Sequence, residues 1–157
     1  MICHWDAETD FAPVDGLDLD SVAAIISMAN GRYLLQHRED RADIEFPNQW
    51  GLFGGAREYG EDAETAMRRE IGEELEFRIR DCSLFLGCAF NLWFEHRRTR
   101  KVFFSIEMTE IEACSLALRE GQAMAWLSFE EIMARAKQVI PYDLGIIALH
   151  NNVRGVK

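Results

Sequence analysis

The chain has 157 residues, 48% of them apolar or aromatic and 28% charged, with a formal net charge of −10 at pH 7. That length and mixture suit one globular domain with a real core rather than a disordered chain. The acidic balance argues against a nucleic-acid polymer or an anionic membrane as main partner, and the longest apolar runs, Val22 to Ala29 and Leu84 to Phe90, are far too short to span a bilayer.

In chain order, residues 1–19 are mostly polar and acidic and are expected to form an arm on the single domain, residues 1–157. The opening MICHWDAETD has no basic segment followed by an apolar run, so no secretory signal is read there. Ser21 to Met28 and Arg32 to Gln36 are short apolar stretches joined across Asn30-Gly31, a strong hairpin signal. Pro47-Asn48 marks a turn before a short strand, Trp50 to Phe53, that leads into Gly54-Gly55. A helix is expected from an Asp62 cap to about Leu75, with Ala63, Met67, Ile71 and Leu75 recurring on one face. Phe77 to Phe90 reads as strand, Val102 to Met108 alternates with period two, and Gly121 to Leu127 reads as a final strand. Ser128 and Glu131 make a capping box opening a helix to about Lys137, and a last helix runs from Pro141 to about Asn151. The fold class is therefore α+β: a mixed sheet flanked by helices.

The most informative stretch is Gly55 to Phe77. Glu70, Glu73 and Glu74 stand at i, i+3 and i+4 and so share one helix face. Clustered carboxylates beside a buried stripe suit a hard cation such as Mg²⁺, which binds a few oxygen ligands and leaves waters for a phosphate to replace. The plainer alternative is a solvated acidic face. Like-charge pairs of this spacing cost only about 0.2–0.5 kcal/mol, so energy alone does not decide.

The whole segment resembles the Nudix box, G-x5-E-x7-R-E-U-x-E-E-x-G-U, where U is a bulky apolar residue. Gly55, Glu61, Arg69, Glu70, Ile71, Glu73, Glu74 and Phe77 fall on it, and Glu76 stands where the family has Gly. The resemblance implies an α/β/α sandwich and a cytoplasmic hydrolase that cleaves a phosphoanhydride in a nucleoside triphosphate or in a nucleoside diphosphate linked to another group. It implies Mg²⁺, or Mn²⁺ in its place, held by Glu70, Glu73 and Glu74, with the Gly54 carbonyl and Glu61 close by. Arg69 would orient a glutamate of the box. Glu120, in Arg119-Glu120-Gly121-Gln122, resembles a loop carboxylate that serves the family as ligand or base, with Glu107, Glu110 and Glu112 as competitors.

Substrate contacts are assigned to Arg38, Arg57 and Arg98. Arg98 belongs to a basic run (His96, Arg97, Arg98, Arg100, Lys101) that reads either as a phosphate clamp or, more simply, as a solvated turn between core aromatics. The expected partner is a small nucleotide, and a homodimer is compatible with the sequence. A ligand-sensing domain without turnover is the alternative, although such domains commonly lack box glutamates. A prenyl diphosphate isomerase would need a catalytic cysteine, for which only Cys82 or Cys88 offers itself. Cys3, Cys82, Cys88 and Cys114 show neither C-x-x-C pairing nor zinc spacing, which fits reduced thiols.

Overall fold

The computed structural model describes residues 20–92 and 97–154, with side chains for residues 21–90 and 99–154. The expected arm, residues 1–19, and residues 93–96 lie outside the described residues. Six strands form one mixed sheet: β1 (Asp20–Ser27), β2 (Tyr33–His37), β3 (Trp50–Gly51), β4 (Ser83–Leu92), β5 (Arg97–Glu107) and β6 (Ala123–Leu127). The sheet path runs β3-β2-β1-β5-β4, with β6 pairing β2. β1 and β5 are parallel, in register from Asp20 opposite Arg100 to Ser27 opposite Glu107, and the other pairs are antiparallel.

Alternation along the central strands divides the core into two layers. Val22, Ala24 and Ile26 of β1 face one side with Leu34, Phe104 and Ile106, and they pack on helix α1 (Ala63–Leu75) through Met67, Ile71 and Leu75. Ala23 and Ile25 face the other side with Tyr33, Leu35 and Phe103. There they meet Ile132 of α3 (Phe129–Ala134) and Ile146 and Ile147 of α4 (Pro141–Arg154). The result is the expected α/β/α sandwich. His150 of α4 ties that second layer to the sheet, its Nδ1 3.1 Å from the Tyr33 hydroxyl and its Nε2 3.0 Å from Ser105 Oγ.

The local signals in the sequence act where they were read. The Asn30-Gly31 turn closes with the Met28 amide on the Arg32 carbonyl at 2.9 Å. Asp62 caps α1 by accepting from the Thr65 amide, and Ser128 and Glu131 form the box that opens α3. Several boundaries differ. Phe77 to Cys82 is not strand: Phe77 and Ile79 do pack on the core, but the Ile79 carbonyl is taken by Arg68 Nη1 at 2.7 Å rather than by a strand partner. β5 starts earlier than Val102 because it pairs with β4 back to Arg97. The final strand starts at Ala123, after the Gln122 amide has bound the His37 carbonyl. α3 stops at Ala134 and a 3-10 turn, Ala136–Gln138, follows; α4 continues to Arg154. Trp50 to Phe53 is strand only at its first two residues, with Phe53 bridging separately to Ala24. A short helix α2 (Glu110–Ala113), capped by Thr109 and Glu112, was not expected.

α1 ends as the off-pattern residue must allow. Glu76 sits at φ 49, ψ 33, a left-handed stop made without glycine. The exposed carbonyls of the last turn are taken by the following loop, the Ala117 amide on Leu75 and the Arg119 amide on Glu74, at 3.0 and 2.8 Å. A left-handed non-glycine residue costs about 1–2 kcal/mol. The surface ion pair of Glu76 with Arg119 is worth about 0–1 kcal/mol. Glu76→Gly is therefore expected to raise the melting temperature by about 2–4 °C, a gain of about 1 kcal/mol. A calorimetric scan showing a lower melting temperature would mean that the ion pair outweighs the backbone strain.

Candidate active site

Three segments meet at one end of the sheet: the second half of α1, the turn at residues 54–56 and the loop at residues 119–121. With Gln36, Arg38, Glu39, Arg41 and Ile44 they line a cleft of about 510 Å³ that contains Glu70, Glu74 and Glu120. A larger recess, about 1060 Å³, lies behind α1 among Arg68, Arg78 and Arg80, and it contains none of these three glutamates.

The turn is shaped by close approach. The Val22 and Ala24 amides bind the Gly55 and Phe53 carbonyls at 2.9 Å, which lays this segment against β1 and turns the intervening Gly54 amide away from it. Gly54 has φ +131, and a Cβ there would lie 2.3 Å from the Val22 carbonyl oxygen, so no other residue fits. A Cβ on Gly55 would meet both carboxylate oxygens of Glu70 at 2.6 Å.

Glu74 is the centre of the constellation. It is 5% exposed, and its Oε2 accepts from the Gly54 amide at 2.8 Å. Its Oε1 accepts from Gln36 Nε2 at 3.3 Å, and the same Gln36 nitrogen donates to the Glu120 carbonyl at 3.1 Å. Burial pushes the Glu74 carboxyl up to about 8, with the charges of Glu70 and Glu120 adding to the effect and the Gly54 bond opposing it. Burial also raises Glu70, and its Arg69 partner partly offsets that.

Arg69 gathers the remaining box residues. Its Nε and Nη2 grip Glu61 at 2.9 and 3.1 Å, its Nη1 reaches Glu70 at 2.9 Å and Glu73 at 3.1 Å, and its Nη2 also donates to the Ala56 carbonyl at 3.0 Å. The guanidinium holds Glu61 below the usual carboxylate range. Glu73 stands at the rim, its side chain 59% exposed, and does not line the cleft.

The other candidates separate cleanly. Glu120 lines the cleft; Glu107 and Glu112 line a separate depression near Arg80, and Glu110 is exposed on α2. Arg38 lines the cleft, whereas Arg57 lines a different recess with Ser21, Leu84 and Arg100. The Arg98 side chain, like His96 and Arg97, lies outside the described side chains. Arg100 and Lys101 are neighbours on β5 and go to opposite faces, so these two cations do not share one clamp. Cys82 lies beside Arg68 and Cys88 packs on the α4 side, so neither cysteine reaches the cleft. Arg41, Arg119 and Gln36 are cleft residues that the sequence did not single out.

The donor set is all oxygen, which fits a hard divalent cation. Among the described residues no three His, Cys, Asp or Glu side chains form a ready-made cage. Mg²⁺ does not require one, since it draws on one or two carboxylates and completes its shell with water and substrate phosphates. Glu74, a buried carboxylate with two hydrogen bonds and, among the described residues, no cationic partner, is the observation that favours such an ion.

The same fold is found in solved structures. A MutT protein from Methanosarcina mazei Go1 superposes with a TM-score of 0.72 at 19% identity, covering 92% of this chain and 100% of that one. A bifunctional NMN adenylyltransferase/ADP ribose pyrophosphatase from Francisella tularensis, complexed with AMP and a manganese ion, gives 0.67 at 18% identity, covering 92% of this chain and 44% of that one. The NUDIX domain pattern matches residues 18–147, and the chain belongs to the Nudix family. In sequence it is 47% identical over 59 residues to the nucleoside triphosphatase NudI of Enterobacter sp. (strain 638). That match covers 38% of this chain and 41% of the relative, so the chain spans less than half the length of the curated protein it resembles.

The raised Glu74 carboxyl has a consequence for stability. Its native value of about 8 lies above the usual glutamate value of 4.5, so between these the folded state binds the extra proton. This contribution is fully present below the usual value and is lost as pH rises through about 8. In EDTA, the melting temperature of the wild type should fall more between pH 5 and pH 9 than that of Glu74→Gln. Parallel pH profiles for the two proteins would show that Glu74 is already ionised at neutral pH.

Proposed function

We propose that the chain is a divalent-cation-dependent hydrolase of a phosphoanhydride bond in a small nucleotide, a nucleoside triphosphate or a nucleoside diphosphate linked to another group. The observation that carries this reading is the meeting of Glu70, Glu74 and Glu120 with Arg38, Arg41 and Arg119 in one cleft. Anionic and cationic groups side by side suit a substrate that brings its own phosphates together with a metal ion. Mg²⁺ or Mn²⁺ would be held by Glu70 and Glu74, with Glu73, Glu61 and the Gly54 carbonyl as further donors. When bound, such an ion neutralises phosphate charge and acidifies a coordinated water.

The chain's own residues do the rest. Arg38 and Arg119 bind non-bridging phosphate oxygens and orient the chain of phosphates. Arg41 is held by Glu39 and Asp43 at 3.0 and 2.5 Å and contributes field rather than a first contact. Glu120 accepts the proton of the attacking water as its oxygen bonds to phosphorus and the bridging P–O bond breaks. Arg69 keeps Glu61, Glu70 and Glu73 in their rotamers, a positioning role. The retention of all three box glutamates weighs against a sensing domain without turnover. The three described cysteines are free thiols, which supports a reducing, cytoplasmic setting.

Two measurements test this. Released phosphate or pyrophosphate, followed over a panel of nucleoside triphosphates, nucleotide sugars and ADP-ribose, should appear with Mg²⁺ and vanish after exhaustive EDTA treatment. Glu74→Gln keeps size, helix propensity and one oxygen able to accept from the Gly54 amide, and should lower turnover at least about a hundredfold. Glu64→Gln is the control: it loses only an exposed i,i+4 pair with Arg68 and should keep turnover. Full activity in Glu74→Gln would leave Glu74 only a structural tie between α1, the Gly54 turn and β2.

A further inference from the structure

The cleft does not end at the carboxylates. A second compartment of about 320 Å³ shares Arg38, Ile44, Gly54, Gly55 and Ala56 with it and continues toward α4, where Phe46, Tyr142, Thr99 and Lys101 form its walls. That volume is at the small end for a ligand site, suited to one planar ring system. Phe46 and Tyr142 meet edge to face at 5.5 Å. Phe46 is held at φ 49, a costly conformation for a bulky residue and one that marks an imposed position.

Lys101 is the unusual group in this compartment. Its side chain is 14% exposed, its Nζ lies 4.9 Å from the centre of the Tyr142 ring, and Asp143 Oδ1 is 3.5 Å away. Asp143 is 1% exposed in its side chain; its Oδ2 accepts the Leu52 amide at 2.9 Å, and its Oδ1 has no hydrogen bond. The ammonium therefore has a charge partner but, among the described residues, no hydrogen-bond acceptor for its three N–H groups. The Nζ is not itself fully enclosed; it opens onto the compartment, where a bound group can supply an acceptor. Asp143 already balances the charge, so a phosphate placed there would face a buried carboxylate, whereas a neutral carbonyl oxygen would not.

We propose that Lys101, anchored by Asp143, reads the base of the substrate, and that the compartment favours nucleotides whose base carries a carbonyl edge. At C4 of a pyrimidine and C6 of a purine, uracil, thymine and guanine present a carbonyl acceptor where cytosine and adenine present an amino donor, and at that position a lysine can donate only to the carbonyl. The inference rests on the cleft being a nucleotide phosphate site, and it adds a substrate preference to that reading. Tyr142 and Phe46 supply the apolar faces against which the ring lies, and Lys101 supplies the discrimination.

Binding tests this separately from turnover. The α,β-methylene analogues of UTP, CTP, GTP and ATP, titrated with Mg²⁺ into the wild type by calorimetry, should bind with UTP over CTP and GTP over ATP by about tenfold or more. Lys101→Met should bring each ratio to within about twofold. Because that variant leaves Asp143 buried without its partner, Lys101→Met/Asp143→Asn is measured beside it; the asparagine oxygen can still accept from Leu52. Equal binding of all four analogues by the wild type, or no binding at all, would overturn the proposal. So would an equal loss for all four in both variants with the ratios kept, since that is the signature of a lysine holding phosphate. Selective binding without hydrolysis of the natural nucleotides would instead remove the assignment of turnover and leave the base preference standing.

Discussion

The arrangement depends on one buried carboxylate. Taking a carboxyl group out of water is costly unless its oxygens are satisfied, and Glu74 meets that demand by accepting from the Gly54 amide and from Gln36. These two bonds fix three elements at once: α1, the strap of backbone lying against β1, and β2. Gln36 extends the tie to a fourth, because its amide also holds the Glu120 carbonyl. The position of the loop carboxylate relative to the helix carboxylates is thus set by hydrogen bonds converging on a single side chain.

Around that anchor, the chain stores negative charge at a cost that a cation would relieve. Arg69 carries part of the load by spreading over Glu61, Glu70 and Glu73, but it reaches the rim and not the buried end. Arg38 and Arg119 line the same cleft as the carboxylates. Arg38 is tied to the Glu45 carbonyl at 3.0 Å, and Arg119 is tied to Glu76. Phosphates entering with a metal ion would meet opposite charges already oriented, which lowers the reorganisation that binding and reaction require.

Much of this was legible in the sequence where the signal is local. The cap at Asp62, the stripe through Met67, Ile71 and Leu75, and the shared face of the box glutamates all follow from helix periodicity within one turn or two. The Thr109–Glu112 capping box is an equally local signal, although its glutamate also reads as one of the competing acids. Phe77 and Ile79 mimic a strand because alternation describes which side chains are buried, not where the backbone hydrogen bonds go; Arg68 took one of those carbonyls. The parts of the cleft that sequence did not reveal, Gln36, Arg41, Arg119 and Lys101, come from distant strands and loops. Their meeting depends on sheet register, which no short window contains.

The parallel pairing of β1 with β5 has a consequence for how such a chain can change over time. Arg100 and Lys101 lie side by side on β5 yet serve recesses on opposite faces, and the register opposite Ser21 decides which cation goes where. A one-residue insertion that shifted β5 along β1 would exchange every inward and outward side chain and bury an arginine in the core. A change of length is better absorbed on β4, where a bulge between Leu84 and Leu86 already takes up a register shift. Point substitution at position 101 meets no such barrier. One exchanged side chain can thus alter the compartment while the sheet register stays intact, which an insertion in β5 cannot do.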